Sequence, residues 1–541
     1  EYDRIKKLTL DDIDYKKQVL SNKNIPDNVK SFALEKIDEM KSNNNEYYKQ
    51  LTFVKYIIRF PWPSKNDDNL YNCLKTNHKK ARDYLSKAEK NLKELSYGHE
   101  EAKKSLLQII GQWISNPESR GTSLGLVGPP GVGKTLLAKS ISSALDIPFA
   151  QITLGGQNDG ELLHGHGYTY SGSQPGMIIR KMVEAGKSRC ILYFDELDKA
   201  CSKHGSINEI TSILIHLTDP NMNKTFQDRF FQGIDFPLNK VIMIFSYNDS
   251  NLIDPILLDR LKEIKIKPYT TKDKLEIVQN FIFPESLKNA GFTKEDFKFN
   301  KSLIEYVIEN YTHEAGVRNI KRKIEELLLN LNLDKIYKRN LFTSEKRPIV
   351  LKKKNITDIL KPPSLEITKI LDKSYVGIIN GLYATSNGDG GITQIQIYKN
   401  YSGDKFEFKL TGNQGNVMKE SVQCSFTVAL HYIKRNIELY KDIVGDDLDK
   451  YMNDNFKYGF HIHTPCTSTP KDGPSAGCAF TSAFVSRILN IPIKRDIAMT
   501  GEIDLSGKIT KIGGLNYKTL GAKKAGITHV FICDENEKDY K

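Results

Sequence analysis

The feature that most constrains the fold is a glycine-rich loop between a predicted strand and a predicted helix. Residues 122–127 form a short apolar segment typical of a buried strand, and the next eight residues fit the spacing G-x-x-x-x-G-K-[ST]. These residues are Gly128, Pro129, Pro130, Gly131, Val132, Gly133, Lys134 and Thr135. Glycines let the backbone wrap closely round phosphates, and the N-terminus of the following helix attracts them. The pattern predicts an α/β nucleotide-binding fold in which Lys134 reaches the β- and γ-phosphates and Thr135 binds magnesium.

A second apolar segment, residues 190–194, is predicted to be a strand and runs directly into two acidic side chains, Asp195 and Glu196. Two acids at a strand end often only cap the next helix. The phosphate loop earlier in the chain favours a catalytic interpretation, in which Asp195 holds the magnesium shell and Glu196 polarises the attacking water. The predicted ligands are therefore ATP and Mg²⁺.

Three later residues follow in an order that resembles AAA+ ATPases. Asn248 ends a predicted strand, Arg260 follows a proline break, and Arg318 is the last of residues 315–318, which open a predicted helix that continues to about Leu333. The resemblance implies that Asn248 is the sensor that orients water and that Arg318 is a second sensor on a helical lid. It also implies that Arg260 is an arginine finger that completes the site of a neighbouring subunit. Such a residue has meaning only in an oligomer, so the resemblance implies a homo-oligomeric ring.

The C-terminal part of the chain is organised around Ser475. Residues 472–474, Asp-Gly-Pro, predict a tight turn, and the apolar run from Ser475 to about Leu489 predicts a helix. A serine on the first turn of a helix has free backbone N–H groups beside it that can hold an oxyanion. The only histidine after Ser475 is His529, in a predicted strand. A lysine can replace it as base if burial lowers the lysine pKa from about 10.4, and Lys518 is the candidate.

This serine and this lysine, together with M-T-G-E at residues 499–502 and G-G-L-x-x-K ending at Lys518, resemble the proteolytic domain of Lon, the ATP-dependent Ser–Lys protease. The resemblance runs from about residue 376 to the C-terminus. It implies that Ser475 is the nucleophile, that Lys518 is the general base, and that the hydroxyl of Thr500 helps to orient Lys518.

Two further predictions concern the surroundings of Lys518. Because a neutral lysine needs an apolar site, the neighbouring side chains are expected to bury it; they are Ile512, Leu515, Leu520 and Ala522. Asp472 is close to Ser475 in sequence, and we hypothesise that it pairs with Lys518 in an inactive state.

Residues 165–176 fit the pattern G-H-x-x-T-Y-x-G-x-x-P-G, which resembles the Lon pore loop. An aromatic residue flanked by glycines is usually only part of a plain loop. The resemblance implies that Tyr170 grips an extended polypeptide in the channel of the ring. A second loop, residues 201–207, lies where the family has another pore contact, but it lacks the usual Gly-Asp-Pro, so its role stays open.

His461 and His463 lie on one face of a predicted strand and are residue types that bind zinc. No third ligand accompanies them, and both have counterparts in the equivalent strand of Lon, so a structural role is favoured.

The chain has 541 residues, which exceeds what one hydrophobic core serves, and we predict a multidomain α/β and α+β protein. The predicted domains are an N-terminal helical segment (1–95), an AAA+ α/β nucleotide-binding domain (96–270), a small helical AAA+ subdomain (271–345), a linker (346–372) and a Lon-type α+β protease domain (373–541). The chain starts at Glu1, and we interpret it as truncated at its N-terminus relative to Lon.

The resemblance predicts an ATP-dependent serine protease that unfolds, translocates and degrades unfolded or damaged proteins, in a ring of six subunits by analogy with the family. Two alternatives stay open, an unfoldase or chaperone with a silent protease domain and a nucleic-acid translocase. The net charge of +13 suits the second, but the scattered lysines are more typical of a composition bias. Nonspecific DNA is therefore left open as a partner.

The expected location is a reducing compartment inside the cell, the cytoplasm or the mitochondrial matrix. The seven cysteines are scattered without a C-x-x-C pair, which argues against disulfides and a zinc site. No apolar run is long enough for a transmembrane helix, so no membrane partner is expected.

Overall fold

A computed structural model describes most of the chain. The described residues are 14–42, 46–64, 67–156, 159–169, 172–200, 209–293, 295–298, 300–312, 314–342, 348–361, 368–385, 390–465 and 471–540. Their contacts divide the chain into two compact units, Glu1–Pro268 and Tyr269–Lys541.

The first unit combines a group of N-terminal helices with a parallel sheet. Its helices are α1 (Tyr15–Ser21), α2 (Asp27–Ser42), α3 (Tyr47–Arg59), α4 (Asn69–Thr76), α5 (His78–Leu95), α6 (Glu100–Ser115), α7 (Lys134–Leu145), α8 (Glu161–His164), α9 (Met177–Ala185), α10 (Leu197–Ala200), α11 (Glu209–Thr218) and α12 (Pro255–Asp259). Its strands are β1 (Ser123–Val127), β2 (Phe149–Thr153), β3 (Ile191–Asp195), β4 (Phe226–Gln227), β5 (Asp235–Phe236), β6 (Ile242–Tyr247) and β7 (Lys262–Lys265).

The parallel sheet has the strand order β2-β3-β6-β1-β7. Strand β6 is buried along its whole length, and so is β3 up to its last residue. Continuous burial of this kind is typical of a parallel sheet that helices cover on both faces. Since the strands run the same way, the carboxyl ends of β1, β3 and β6 meet at one edge. This edge is where nucleotides bind in such folds.

The N-terminal helices pack directly against the remainder of the first unit. After α3, the rings of Phe60 and Trp62 contact Phe236 with centroid distances of 4.8 and 5.6 Å. The indole N–H of Trp62 donates a hydrogen bond of 2.8 Å to the carbonyl of Ile57, which satisfies its one buried polar group. The prediction that the N-terminal segment is helical is confirmed.

The second unit begins with helices and continues as a mixed sheet. Its helices are α13 (Thr271–Ile277), α14 (Phe283–Asn289), α15 (Lys301–Tyr311), α16 (Arg318–Ile336), α17 (Lys353–Leu360), α18 (Asn416–Arg435), α19 (Ile437–Val444), α20 (Leu448–Asn455), α21 (Gly477–Leu489), α22 (Leu515–Ala525) and α23 (Glu537–Tyr540). Its strands are β8 (Phe297–Lys298), β9 (Ile349–Val350), β10 (Tyr375–Val376), β11 (Ile378–Ala384), β12 (Gly390–Lys399), β13 (Phe408–Thr411), β14 (Phe460–His463), β15 (Pro492–Ile493), β16 (Ile497–Met499), β17 (Glu502–Ile503), β18 (Ile509–Thr510) and β19 (His529–Phe531).

Helix α16 begins at Arg318 because Glu314 satisfies its first N–H groups. The carboxylate of Glu314 accepts hydrogen bonds from the backbone N–H groups of Asn319 and Ile320, at 2.9 and 2.8 Å. The ammonium of Lys274, on α13, donates to the carbonyl oxygen of Glu314 and so ties the two helices together. An acidic side chain is stabilising at this end of a helix.

The main sheet of the second unit has the order β13-β14-β12-β11-β16-β19. Strand β12 runs antiparallel to both of its neighbours, whereas β16 and β19 run parallel to β11. Phe480 and Phe484 of α21 and Val422 of α18 are buried in one core with Ile397 of β12. A smaller core joins Ala522 of α22 to other residues of the sheet. The predicted fold class, a helical segment, an AAA+ module with a lid and an α+β protease domain, is confirmed.

Among the described residues, no helix combines the length and the apolar character needed to cross a lipid bilayer.

Candidate active sites

The predicted phosphate loop lies at the carboxyl edge of the parallel sheet, between β1 and α7. Gly131 and Gly133 have φ angles of +80° and +87°, a region that glycine adopts without strain. A Cβ at Gly128 would lie 2.4 Å from the carbonyl oxygen of Ile266, so only glycine fits there. Helix α7 begins at Lys134 directly after the loop, and its first-turn N–H groups make the loop an anion cradle.

The ammonium of Lys134 lies inside this cradle. It donates hydrogen bonds to the carbonyls of Gly128 and of Pro129 (3.2 Å) and to Oδ1 of Asn248 (2.8 Å). Burial lowers the pKa of Lys134 to about 8, although the negative charges of Asp198 and Asp195 oppose this. A phosphate bound here would restore the charged form, since an opposite charge favours it.

Thr135 and Asp195, the predicted magnesium residues, are linked through a tyrosine of β3. The hydroxyl of Tyr193 lies 2.9 Å from Oγ1 of Thr135 and 3.3 Å from Oδ1 of Asp195. Ser246 donates to the same Oδ1, and the amide of Gln151 donates to Oδ2 at 3.3 Å. The Asp195 carboxylate is therefore held in one orientation.

Glu196 follows β3 with a left-handed backbone, at a φ angle of +61°. Its carboxylate forms an ion pair with Lys199, one turn further along the chain. A Cβ at Gly155 would lie 2.0 Å from Oε2 of Glu196, so the glycine makes room for this carboxylate. A non-glycine residue with positive φ is a feature that clusters at functional sites.

Asn248 is held in place by an aspartate that the sequence analysis did not single out. The backbone N–H of Asn248 donates to Oδ2 of Asp198 at 2.8 Å, and Asp198 is 4% exposed. Asp198 occurs in D-E-L-D-K, two residues after Glu196. A third acid so close to the predicted catalytic pair was the available signal, but only the fold places it next to Asn248.

Arg260, the predicted arginine finger, is paired within its own chain. Its guanidinium donates to Oδ2 of Asp219 at 2.7 Å and to the carbonyl of Ile215 at 3.1 Å. The sequence offers no pattern that links Asp219 to Arg260 across 41 residues. Arg318, the predicted second sensor, is the first residue of α16 in the second unit.

The predicted pore-loop residue Tyr170 lies outside the described residues, and so does the second loop, residues 201–207. Tyr168, two residues before Tyr170, contacts the N-terminal helices. Its ring centroid lies 5.0 Å from Nζ of Lys36 and 4.1 Å from Nζ of Lys49, and it meets Phe53 edge-on. The start of the predicted pore loop is thus packed against α2 and α3.

Ser475 occupies a turn that precedes its helix. The prediction of a helix beginning at Ser475 is wrong by two residues, because α21 begins at Gly477. The backbone N–H of Gly477 donates to the carbonyl of Pro474 at 3.1 Å, and Gly473 has a φ angle of +117°. These contacts close a tight turn before the helix starts.

Lys518 approaches Ser475 from the first turn of α22. Its Nζ lies 2.9 Å from Oγ of Ser475 and 3.0 Å from Oγ1 of Thr500. The side chain is 4% exposed, and burial lowers the pKa of Lys518 to about 8. A lysine in this setting becomes neutral at mildly alkaline pH and can accept a proton.

Thr500 fixes the direction in which Lys518 offers its lone pair. The hydroxyl of Thr500 donates to the carbonyl oxygen of Ser475 at 3.2 Å, and this uses its single hydrogen. The contact with Lys518 is therefore one in which the amine donates to Thr500. A neutral amine held in this way has its lone pair free for the hydroxyl of Ser475.

Of the four apolar residues predicted to bury Lys518, three are buried and one is exposed. Ile512, Leu515 and Ala522 are buried, but Leu520 is 49% exposed. Leu520 lies two residues after Lys518 on α22, and helical residues two apart point to different sides. Leu520 therefore belongs to the surface.

Asp472 does not contact Lys518 in this structure. Its Oδ1 accepts hydrogen bonds from the backbone N–H groups of Met418 and Gly473, at 3.0 and 2.9 Å. Met418 lies in the first turn of α18, where unpaired N–H groups favour a carboxylate. The carboxylate thus joins the turn before Ser475 to the start of α18.

His461 and His463 share one partner on the neighbouring strand. Oγ1 of Thr411 lies 2.9 Å from Nε2 of His461 and 2.8 Å from Nδ1 of His463. Within the part of the chain that the structure describes, no three His, Cys, Asp or Glu side chains are placed to hold a metal ion. The pair has the contacts of a structural feature of the sheet.

Three stretches of the chain match known protein families. Residues 124–269 match the ATPase family associated with various cellular activities (AAA). Residues 288–331 match the Lon protease AAA+ ATPase lid domain, and residues 350–541 match the Lon protease (S16) C-terminal proteolytic domain.

Curated relatives match along almost the whole chain. A Lon protease homolog of Acanthamoeba polyphaga mimivirus is 45% identical, over 100% of this chain and 57% of its own length. The Lon protease of Endomicrobium trichonymphae is 35% identical, over 98% and 62%. Lon protease 1 of Bacillus subtilis (strain 168) is 33% identical, over 95% and 62%. The chain thus spans 57–62% of the length of these relatives.

Proposed function

Since the chain belongs to the Lon protease family, we propose that it is an ATP-dependent endopeptidase that unfolds, translocates and degrades proteins in a ring. The observation that carries the proposal is the contact of 2.9 Å between Nζ of Lys518 and Oγ of Ser475. It lies in a chain that also has an AAA domain, which implies nucleotide binding.

In the proposed proteolytic step, Oγ of Ser475 attacks the scissile carbonyl carbon while Lys518 takes the hydroxyl proton. The bond between Oγ and the carbonyl carbon forms, the peptide C–N bond breaks, and Lys518 returns the proton to the leaving amine. Lys518 then accepts a proton from water as the resulting hydroxide adds to the acyl carbon. The ester C–O bond breaks, and Lys518 returns this proton to Oγ of Ser475. Thr500 keeps Nζ in place throughout.

The nucleotide site has the residues that magnesium requires. Mg²⁺ prefers oxygen ligands and is commonly held by one or two protein groups together with substrate phosphates. The hydroxyl of Thr135 and the carboxylate of Asp195, joined through one phenol, supply such groups at one point. When bound, the ion would neutralise charge on the β- and γ-phosphates. Lys134 would bind the same phosphates, and Glu196 would orient the attacking water.

We infer that the chain works as a homo-oligomeric ring, in which Arg260 acts on the nucleotide of a neighbour and Arg318 senses it from the lid. ATP turnover would move Tyr170 and pull unfolded or damaged protein towards Ser475. By analogy with the family, we propose that the ring has six subunits. A reducing compartment, the cytoplasm or the mitochondrial matrix, agrees with the free thiols of Cys73, Cys190, Cys424, Cys478 and Cys533.

The alternative of an unfoldase without proteolysis requires an inactive serine site. The contacts among Ser475, Lys518 and Thr500 favour an active one. A nucleic-acid translocase is suggested by the net charge of +13 and the ATPase core, but the same three residues count against it. DNA is therefore kept only as a candidate partner of the protease.

The pH dependence of peptide cleavage tests the lysine base. Only the neutral amine accepts the serine proton, and its fraction rises with pH through the Lys518 pKa of about 8. The rate of peptide cleavage should therefore rise about tenfold from roughly pH 7 to roughly pH 9. Hydrolysis of a short unstructured peptide measures it, with ATP hydrolysis followed at each pH as a control. A rate that is half-maximal near pH of about 6.5 and level from about 7.5 upwards would point to a histidine.

Subunit mixing tests the role of Arg260. Arg260→Ala should bind nucleotide normally but lose most ATP hydrolysis, because the guanidinium acts on the phosphate of the next subunit. Mixing it with Glu196→Gln subunits should restore part of the turnover, since some interfaces then contain both intact groups. Asp219→Asn, which keeps the arginine, separates loss of the ion pair from loss of the guanidinium. Wild-type turnover by Arg260→Ala alone would disprove the role in trans.

A further inference from the structure

Tyr193 joins the two residues that would hold the magnesium ion. Its ring is fully buried in β3, with 0% exposure. Its hydroxyl contacts Oγ1 of Thr135 at 2.9 Å and Oδ1 of Asp195 at 3.3 Å. The phenol itself binds neither phosphate nor metal in the proposed mechanism.

The direction of the two hydrogen bonds follows from counting hydrogens. An ionised carboxylate only accepts, so the single phenol hydrogen of Tyr193 is donated to Asp195. Tyr193 must then accept in its contact with Thr135, and Thr135 donates its own hydrogen. The lone pairs of Oγ1 are left free, which is the arrangement that a metal ligand needs.

The carboxylate of Asp195 is fixed from both sides. The hydroxyl of Ser246 donates to Oδ1 beside Tyr193, and Gln151 donates to Oδ2. Ser246 also accepts a hydrogen bond from the backbone N–H of Glu196 at 3.4 Å, but of these three side chains Tyr193 is the one that contacts Thr135. Tyr193 is thus the one of these three side chains that couples the phosphate loop to β3.

We propose that Tyr193 is a positioning residue of the nucleotide site, which sets the affinity for the magnesium ion that accompanies ATP by orienting the hydroxyl of Thr135. This inference rests on the proposed ATP site. Partners that orient metal ligands typically contribute about 10- to 100-fold to metal affinity. Tyr193 should therefore affect nucleotide binding only when magnesium is present.

The test measures binding of a fluorescent ATP analogue to Tyr193→Phe, first in EDTA and then with increasing MgCl₂. The phenyl ring keeps the packing of Tyr193 on Phe149, whose centroid lies 5.7 Å away. In EDTA the analogue should bind within about twofold of wild type. The magnesium concentration at half-maximal enhancement of binding should rise about tenfold.

Tyr247→Phe is the matched control. Tyr247 is a buried tyrosine on the adjacent strand β6, and its hydroxyl also donates to a carboxylate, that of Glu263, at 2.9 Å. Its loss should leave the magnesium dependence unchanged. If Tyr193→Phe melts lower than Tyr247→Phe, binding is measured at a temperature at which both variants are fully folded.

Three results would overturn the proposal: an unchanged magnesium dependence in Tyr193→Phe, an equal loss with and without magnesium, or the same shift in Tyr247→Phe. Failure of the proposed ATP site looks different, because wild-type protein would then bind the analogue in neither condition. The two failures are therefore distinguishable.

Discussion

Replacing Lys518 with arginine is expected to abolish peptide hydrolysis while ATP hydrolysis continues. Arginine keeps the positive charge but does not lose a proton in this pH range, so it cannot accept one from Ser475. Loss of a general base costs roughly 10²- to 10⁴-fold in rate. Ser475→Ala removes the nucleophile and should be equally inactive. Cleavage of a short peptide, measured beside ATP turnover, tests both variants.

The matched control for this substitution is Lys523→Arg. Lys523 lies on the same helix, α22, but is exposed to solvent. This variant should cleave peptides at the wild-type rate. Substantial peptidase activity in Lys518→Arg would move the base elsewhere. So would complete loss of activity on replacing His461 or His463 in a protein that still folds.

Substitutions in the phosphate site should stop ATP turnover in two different ways. Lys134→Ala removes the cation from the anion cradle and should abolish ATP binding. Glu196→Gln keeps the shape of the side chain but cannot polarise water, so ATP should bind and stay unhydrolysed, with turnover lower by about 10²-fold or more. Both variants should fail to degrade folded proteins, because no unfolding force remains.

Equilibrium binding of ATP and release of phosphate distinguish the two variants. Lys139→Ala is the control, since Lys139 lies exposed on α7, one turn after the phosphate loop. It should bind and hydrolyse ATP normally. Normal ATP turnover by Glu196→Gln would refute the assignment of Glu196.

Strands and helices could be predicted wherever the local hydrophobic pattern matches the element that forms in the fold. The apolar strands before Gly128 and Asp195 read as buried β-structure, and both lie in the parallel sheet. The helix predicted to open within residues 315–318 begins at Arg318, although the residue that caps it, Glu314, has no local signature. Helix and strand patterns follow from nearest neighbours along the chain, and a sequence displays them directly.

Two errors arose close to Lys518 and Ser475, from local geometry that the apolar pattern does not resolve. Leu520 is apolar and close to Lys518 in sequence, but its position on the helix turns it to solvent. The helix after Ser475 starts late because Pro474 and its neighbours close a turn first.

The residues that were missed are partners in space and not along the chain. Tyr193 lies in the apolar segment that predicts a strand, and no pattern in the sequence marks Asp219. Their hydroxyl and carboxylate contacts involve residues 58 and 41 positions away. No local periodicity records such pairs, so the sequence alone could not reveal them.

The roles of Ser475, Lys518 and the nucleotide-site residues stay predictions. Degradation of casein, an unfolded protein, tests the central proposal most directly. With ATP and magnesium, the wild-type chain should convert casein to peptides, whereas omission of ATP should slow the reaction strongly and Ser475→Ala should leave casein intact. Casein that stays intact while wild-type protein hydrolyses ATP, or that Ser475→Ala still degrades, would contradict an ATP-dependent Ser–Lys protease.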